Sequence, residues 1–505
     1  MKQTIQIQPG GRLEEARQGE NLLKVLRRAN HAPDAPCGGN GKCGKCLVEI
    51  EDSKGRRTVL ACQTEVWEDM KVHLPKDGEK GTRILLEGHE APLVMDPLAK
   101  GKLLAFDIGT TTVVCYLLSS EDGKELSHAS MLNPQEPFGA DVISRIQCAV
   151  KGEREALTKA IREGMESLIK EVCERAGVSP SEIGVVSVVG NPCMQQLFLG
   201  MEVNNLAAVP FAPVLKESAH LPAADYLPSL TNALLLVVPD IAGYVGADTL
   251  GCVLSSQMEA ASGNVLMVDI GTNGEMVLKV KDRMAACSTA AGPALEGARI
   301  RFGMRGANGA IDHVSLTEKD LNVHVIGEGK AIGICGSGLI DAVAAMKRAG
   351  ILNRRGRIQT GENLPDFAGR IGEKDGERIF ALTEDVYLTQ QDIREVQMAK
   401  GAIAAGIELM AEELGIQTEE IDQVLLAGAF GSFLNADSAC DIGLLPACLC
   451  GRISVIGNAA GSGAKMLACD QKELAYTDRL LERIEFLELA SLPGFQRCFA
   501  KNMNL

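Results

Sequence analysis

Two segments of this 505-residue chain repeat one another: LLAFDIGTTTVVCYLL at 103–118 and VLMVDIGTNGEMVLKV at 265–280. Each is an apolar run, then Asp-Ile-Gly-Thr, then a second apolar run, which predicts two strands joined by a tight turn. A duplication of this kind constrains the fold more than any local pattern does, because each copy has to be one unit of a repeated architecture. The expected fold over residues 102–505 is a duplicated α/β arrangement of two similar lobes, roughly 102–262 and 263–505.

The turns suit phosphate. Gly109 and Gly271 let backbone approach a phosphoryl group, and the amides and hydroxyls of Thr110, Thr111, Thr112, Thr272 and Asn273 can donate to its oxygens. Asp107 and Asp269 can hold Mg2+ through water. The two aspartates are expected to face each other across a cleft that holds a nucleotide, ATP with Mg2+. A single such turn also ends ordinary hairpins; the second copy, 162 residues further on, makes phosphate binding the better reading. A third run, IDQVLLAGAFGSFLN at 421–435, places Gly428 and Gly431 after an apolar strand. That turn is expected to open against the adenosine side of the nucleotide, although a plain strand-to-helix turn has the same pattern. The order of the three elements resembles the acetate and sugar kinase, Hsp70 and actin superfamily.

At the front of the chain, residues 37–62 read CGGNGKCGKCLVEIEDSKGRRTVLAC, a spacing of C-x5-C-x2-C-x15-C. Cys37, Cys43 and Cys46 fall in one glycine-rich loop, and Cys62 follows after fifteen residues. Glycines 38, 39, 41 and 44 allow the backbone to wrap a cluster with amides aimed at its sulfurs. Zinc is the alternative for four thiolates, but a second C-x2-C pair is missing. An alternating strand at 2–8, a helix around 20–29 and strands near 47–51 and 58–62 predict an α+β front domain of β-grasp type over 1–78. The segment resembles the plant and vertebrate-type [2Fe–2S] ferredoxins, with a shorter gap before the fourth ligand and hence a trimmed loop and a more exposed cluster. Residues 79–101 mix glycine, proline and charge and read as a linker.

A formal charge of −15 disfavours nucleic acid. The most apolar later stretch, 233–247, is broken by Pro239 and Asp240, so no membrane span is expected. The opening MKQTIQIQPGGRLEE lacks the charged-then-apolar order of an export signal, and sixteen cysteines in a long chain are read as reduced thiols of a cytoplasmic protein.

Further runs narrow the class: NPQEPFGADVISRI (133–146), VVGNPCMQQLFLG (188–200), PDIAGYVGADTLG (239–251), ACSTAAGPALEGARI (286–300), GICGSGLIDAV (333–343) and VIGNAAGSGA (455–464). With the ferredoxin-like front, they resemble the reductive activators of corrinoid proteins. The resemblance implies an ATP-hydrolysing iron–sulfur reductase that passes one electron from its [2Fe–2S] cluster to cob(II)alamin, regenerating cob(I)alamin for methyl transfer. It also implies a corrinoid protein of a methyltransferase system as partner and a low-potential electron donor; a homodimer is a further expectation. Longer members carry additional sequence between cluster and kinase-like parts. The alternatives are a small-molecule kinase with a regulatory ferredoxin domain, an activator of another low-potential metalloenzyme such as the 2-hydroxyacyl-CoA dehydratases, and a redox-sensing ATP-binding module.

Other features are set aside. The x7, x1 and x18 gaps among Cys440, Cys448, Cys450 and Cys469 match no cluster or zinc pattern, and Cys335 reads as structural. The glycine-dense CGSG and GNAAGSG runs fit close helix packing as well as phosphate. The histidines, at 31, 73, 89, 128, 220, 313 and 324, are spread singly and read mostly as surface residues. Glu275, six residues beyond Asp269, could orient a hydrolytic water, but a solvent-facing strand residue is the plainer reading, and no catalytic residue is assigned.

Overall fold

The computed structural model describes residues 2–8, 11–29, 31–33, 39, 41, 46–74, 88–89, 91–271, 273–317 and 320–505. Cys37, Cys43 and Thr272, three of the candidate ligands, lie outside the described residues, as does most of the expected linker. The chain divides into two units, one of residues 1–79, 93–248 and 467–474, the other of 80–92, 249–466 and 475–505. The described remainder of the linker joins both: Asp96 bridges to Asp470 in the first, and Gly88 to Gly457 in the second.

In the first unit, alternation of buried and exposed residues sets up a mixed five-stranded sheet. Strands β1 (Lys2–Gln8), β2 (Arg12–Arg17), β3 (Leu47–Asp52), β4 (Gly55–Leu60) and β5 (Met70–His73) lie in the order β2-β1-β5-β3-β4, with β1 and β5 parallel. Helix α1 (Leu22–Arg28) lays Leu22, Leu23, Val25 and Leu26 on Ile5, Ile7, Val48, Ile50 and Val72. This is the β-grasp arrangement. The helix start and both ends of the fourth strand, which begins at Gly55, differ from expectation. The helix starts at Leu22 because Glu20–Asn21 pairs with Glu65–Val66 and Asn21 caps the helix, its side chain accepting from the Lys24 amide. The fourth strand ends at Leu60, and Cys62 sits in a 3-10 turn, Ala61–Gln63. The gap of fifteen residues before Cys62 is used by β3, a two-residue turn at Ser53-Lys54, and β4.

Also in the first unit, β6 (Lys102–Ile108), β7 (Thr112–Leu118), β8 (Glu125–Leu132), β9 (Ile183–Gly190), β10 (Ala219–Pro222) and β11 (Leu234–Val237) form a sheet in the order β8-β7-β6-β9-β11-β10. The second unit contains β12 (Val265–Ile270), β13 (Gly274–Val280), β14 (Arg283–Thr289), β15 (Gln423–Ala427), β16 (Ile453–Gly457) and β17 (Ile484–Phe486), ordered β16-β15-β12-β13-β14-β17. Setting aside the edge strands β10 and β17, both sheets run third, second, first, fourth, fifth. In both, the first two strands are an antiparallel hairpin and the fourth and fifth are parallel to the first. The duplicated α/β fold is thus present strand for strand. Strands β9 and β12, buried on both faces, read as near-continuous apolar runs because helices cover both sides of such sheets. No helix among the described residues is long and apolar enough to cross a membrane.

Candidate functional site

The cluster site is built by strand register. Cys46 stands immediately before β3 and Cys62 just after β4, so the β3–β4 hairpin brings them together; the Ala61 amide donates to the Cys46 carbonyl at 2.8 Å. Cys46 is buried and Cys62 half-buried, and neither is in a disulfide. Asn21 holds the Cys62 carbonyl with its side-chain amide at 2.9 Å, tying the cap of α1 to the ligand turn. Gly39 has φ +88°, and a Cβ there would lie 3.1 Å from Leu23 Cδ2 and 3.7 Å from Cys62 Cβ. The backbone at Gly39 therefore lies too close to α1 and the Cys62 turn, in too left-handed a conformation, for a larger residue. Two cysteines outside any disulfide, brought together with Gly39 beside α1, fit a [2Fe–2S] cluster.

The first Asp-Ile-Gly-Thr turn, between β6 and β7, is braced by three polar side chains. Asn133 donates from its side chain to the Gly109 carbonyl and from its backbone to the Thr111 carbonyl, both at 2.8 Å. Arg145, 1 % exposed, donates Nη2 to the Thr110 carbonyl at 2.6 Å and Nε to the Gly139 carbonyl at 2.9 Å. Asn191 caps the helix Pro192–Leu199 and donates Nδ2 to Thr110 Oγ1 at 3.0 Å. These bonds fix the carbonyls of Gly109, Thr110 and Thr111, and with them the course of the turn. Asp107 is half-buried at the end of β6, and Thr112 opens β7. In the same sheet, Asp240 follows β11 and is buried. Burial, with the Asp248 charge second, pushes its carboxyl well above the usual carboxylate range.

In the second unit, the Gly271 amide donates to the Asn273 carbonyl at 2.9 Å, closing the turn after β12. Register sets Asp269 beside Ala427 on β15, and the next residue, Gly428, has φ +80°. A Cβ on Gly428 would sit 2.2 Å from Asp269 Oδ1. Strand β15 then enters the short helix Gly428–Phe433, with Gly431 on it and Ser432 Oγ donating to the Gly428 carbonyl. The structure thus brings Asp269 and Gly428 together, a pairing the sequence did not reveal. Glu275 is half-buried on β13 directly opposite Asp269, and Ser288 Oγ donates to it at 3.5 Å; it is not a solvent-facing residue.

The features set aside fall into place as packing. A Cβ on Gly463 would lie 2.2 Å from the Gly251 carbonyl, and one on Gly338 2.3 Å from the Ile311 carbonyl, so both glycine-dense runs are close-contact surfaces. Cys335 and Cys440 are buried, and no group of three or more His, Cys, Asp or Glu suited to a metal occurs among the described residues. His220, His313 and His324 are exposed, and the other four histidines are half-buried. Sequence reasoning missed Asn133, Arg145 and Asn191. The Asn-Pro pair at 191–192 was the available signal, since Asn before Pro at a strand end marks a helix N-cap.

Fold and site together define a class: a [2Fe–2S] β-grasp domain joined to a duplicated nucleotide-binding fold of the kinase, Hsp70 and actin type. Comparison with known proteins agrees segment by segment. Residues 2–76 match a 2Fe–2S iron–sulfur cluster binding domain, 103–261 the RACo middle region, and 263–505 the C-terminal, ASKHA domain of RACo. Across 92 % of this chain and 93 % of the relative, it is 31 % identical to the corrinoid activation enzyme RamQ of Eubacterium limosum. It is 26 % identical, over 78 % of this chain and 75 % of the relative, to the Methanosarcina barkeri reductase of a Co(II) methylated amine-specific corrinoid protein. A solved reductive activator for a corrinoid, iron–sulfur protein superposes with a TM-score of 0.72 at 29 % identity, covering 100 % of this chain and 98 % of that one. The chain belongs to the family of corrinoid activation enzymes.

Proposed function

We propose that this protein passes one electron from a [2Fe–2S] cluster on Cys37, Cys43, Cys46 and Cys62 to the cobalt of a corrinoid protein, reducing cob(II)alamin to cob(I)alamin in an ATP-dependent step. The observation that carries the reading is the convergence of Cys46, Cys62 and Gly39 in a domain of the same chain as two Asp-Ile-Gly-Thr hairpins. The names of the relatives support the choice of acceptor.

The chemistry explains why both parts are needed. A ferredoxin-type cluster supplies electrons at about −400 mV. Passing one to a centre about 100 mV lower costs roughly 2.3 kcal/mol, so the transfer has to be coupled to another event. Binding of ATP can supply the coupling if the nucleotide-bound protein favours the corrinoid partner in a conformation that is easier to reduce. In this reading Asp107 and Asp269 orient Mg2+ through water, the loop amides and hydroxyls of Thr110, Thr111, Thr112, Thr272 and Asn273 grip phosphate, and Gly109, Gly271, Gly428 and Gly431 give the backbone its approach. A low-potential cytoplasmic donor returns the electron after each turnover. Residues 1–78, 79–101 and 102–505 act as cluster domain, linker and nucleotide-binding domain.

The test is substitution of each aspartate. Asp107→Ala and Asp269→Ala are expected to abolish ATP-dependent corrinoid reduction while leaving the cluster's visible spectrum unchanged. Full activity in both variants would remove the nucleotide from the mechanism.

A further inference from the structure

We propose that Arg27 is a positioning residue that links the cluster to the first phosphate loop, so that nucleotide occupancy changes the cluster's reduction potential through it. The inference deepens the function proposed above and rests on nucleotide binding at residues 107–112.

Arg27 belongs to α1 of the cluster domain and is only 5 % exposed. A guanidinium is buried at a cost of several kcal/mol unless partners surround it. Its hydrogen-bond partners among the described residues lie outside its own domain. Nε donates to the Pro137 carbonyl at 2.8 Å, Nη1 donates to both Glu153 oxygens at 3.2 and 3.4 Å and to Cys148 Sγ at 3.6 Å, and the guanidinium lies 5.0 Å from the centre of the Phe138 ring. The side chain is therefore the pin that seats the cluster domain on residues 137–153. Its remaining nitrogen, Nη2, is buried with no hydrogen-bond partner among the described residues. Nη2 and Cys62 Cβ each lie 3.7 Å from the position of a Cβ on Gly39. One end of the cation thus reaches the cluster loop.

The other end leads to the phosphate loop through an unbroken set of bonds. The Phe138 amide donates to the Gln135 carbonyl at 3.0 Å, and the Gln135 amide donates to Asn133 Oδ1 at 2.9 Å. Asn133 holds Gly109 and Thr111 as described. Arg145 braces the same turn from the opposite side, reaching Gln135 Oε1 and the Gly139 carbonyl as well as Thr110. The turn at 135–139 is thus gripped by one arginine that touches the cluster loop and another that touches the phosphate loop. Reduction adds a negative charge to the cluster, and a nearby buried cation favours that state. A shift of the turn on phosphate binding changes the distance between cation and cluster, and linkage requires the effect to run both ways.

The test measures the cluster midpoint potential of the holoprotein by EPR-monitored titration, with and without a non-hydrolysable ATP analogue and Mg2+, alongside direct binding of the analogue. The wild type is expected to show a nucleotide-dependent shift. Arg27→Gln is expected to move the nucleotide-free midpoint negative, by up to tenfold in the reduction constant, about 59 mV for one electron, and to lose the nucleotide-dependent shift. Glu153→Gln, which removes the counter-charge, is expected to move the midpoint positive. If Arg27→Gln fails to fold, Arg27→Lys, which keeps the charge without the fork, is expected to hold the nucleotide-free midpoint and lose most of the shift. An unchanged nucleotide-dependent shift in the Arg27 variants, midpoints of the Gln variants moving in one direction, or a wild type that binds the analogue without a shift overturns this inference alone. Absence of analogue binding overturns it together with the function it rests on.

Discussion

Replacing Gly428 by alanine places one added carbon against the aspartate of the second repeat. At φ +80° an L-residue costs about 1–2 kcal/mol from its own backbone. The new Cβ would stand 2.2 Å from Asp269 Oδ1, where ordinary contact begins at 3.4 Å, so either the carboxylate or the β15 backbone must retreat by about 1 Å. A displacement of about 1 Å at a group that positions a reacting phosphate costs on the order of a hundredfold in rate. Gly369→Ala is the control, because its added carbon meets nothing within 4 Å and its backbone is not left-handed. The assay is ATP-dependent reduction of the corrinoid partner, with the cluster's visible spectrum as an internal check. Gly428→Ala is expected to lose about a hundredfold and Gly369→Ala less than about threefold. Equal, near-wild-type rates in both would refute the idea that Asp269 acts from the position Gly428 leaves open.

Asn191→Ala removes both a helix cap and the bond to Thr110 Oγ1, at about 1 kcal/mol each; thermal denaturation should show the loss, with nucleotide affinity falling about tenfold. Arg145→Met strips the Thr110 and Gly139 carbonyls of a charged donor and should cost about 3 kcal/mol, read as a lowered denaturation midpoint and weakened nucleotide binding. In the second unit, burial first and the Lys347 charge second hold the Lys400 ammonium down at about 8. The unfolded chain keeps this proton up to roughly pH 10.4 and the folded chain releases it near 8, so the unfolded state carries the extra proton between those values and the Lys400 contribution to stability rises with pH. Wild type relative to Lys400→Met should therefore gain about 2 kcal/mol between pH 8 and 10, seen as a difference in Tm; a flat difference contradicts the assignment.

Much of the architecture was legible because duplication and cysteine spacing are properties of the chain itself. The repeated Asp-Ile-Gly-Thr turns announced two hairpins, and the two sheets share one strand order. The pattern between Cys46 and Cys62 announced two strands, and β3 and β4 supply them as a hairpin. What stayed hidden depends on contacts between segments distant in sequence. Arg27 looks like a solvent-facing helix cation until residues 137–153 cover it, and Arg145 looks like one more polar residue on an amphipathic helix until its fork reaches Thr110. Gly428 was visible as a turn glycine, but that its missing side chain makes room for Asp269 follows from the β12–β15 register. The end of β4 at Leu60 was misplaced because β-branched and apolar residues run on to Ala61, while the Ala61 amide is claimed by Cys46.

The most direct trial is a single turnover under anaerobic conditions. The holoprotein, reduced and freed of reductant, is mixed with a corrinoid protein in its cob(II)alamin state, and cobalt and cluster absorbances are followed with and without MgATP. One cob(I)alamin formed per cluster oxidised, only when MgATP is present, is the predicted result. Cluster oxidation at the same rate and extent without nucleotide, or no cob(I)alamin at all, would contradict it.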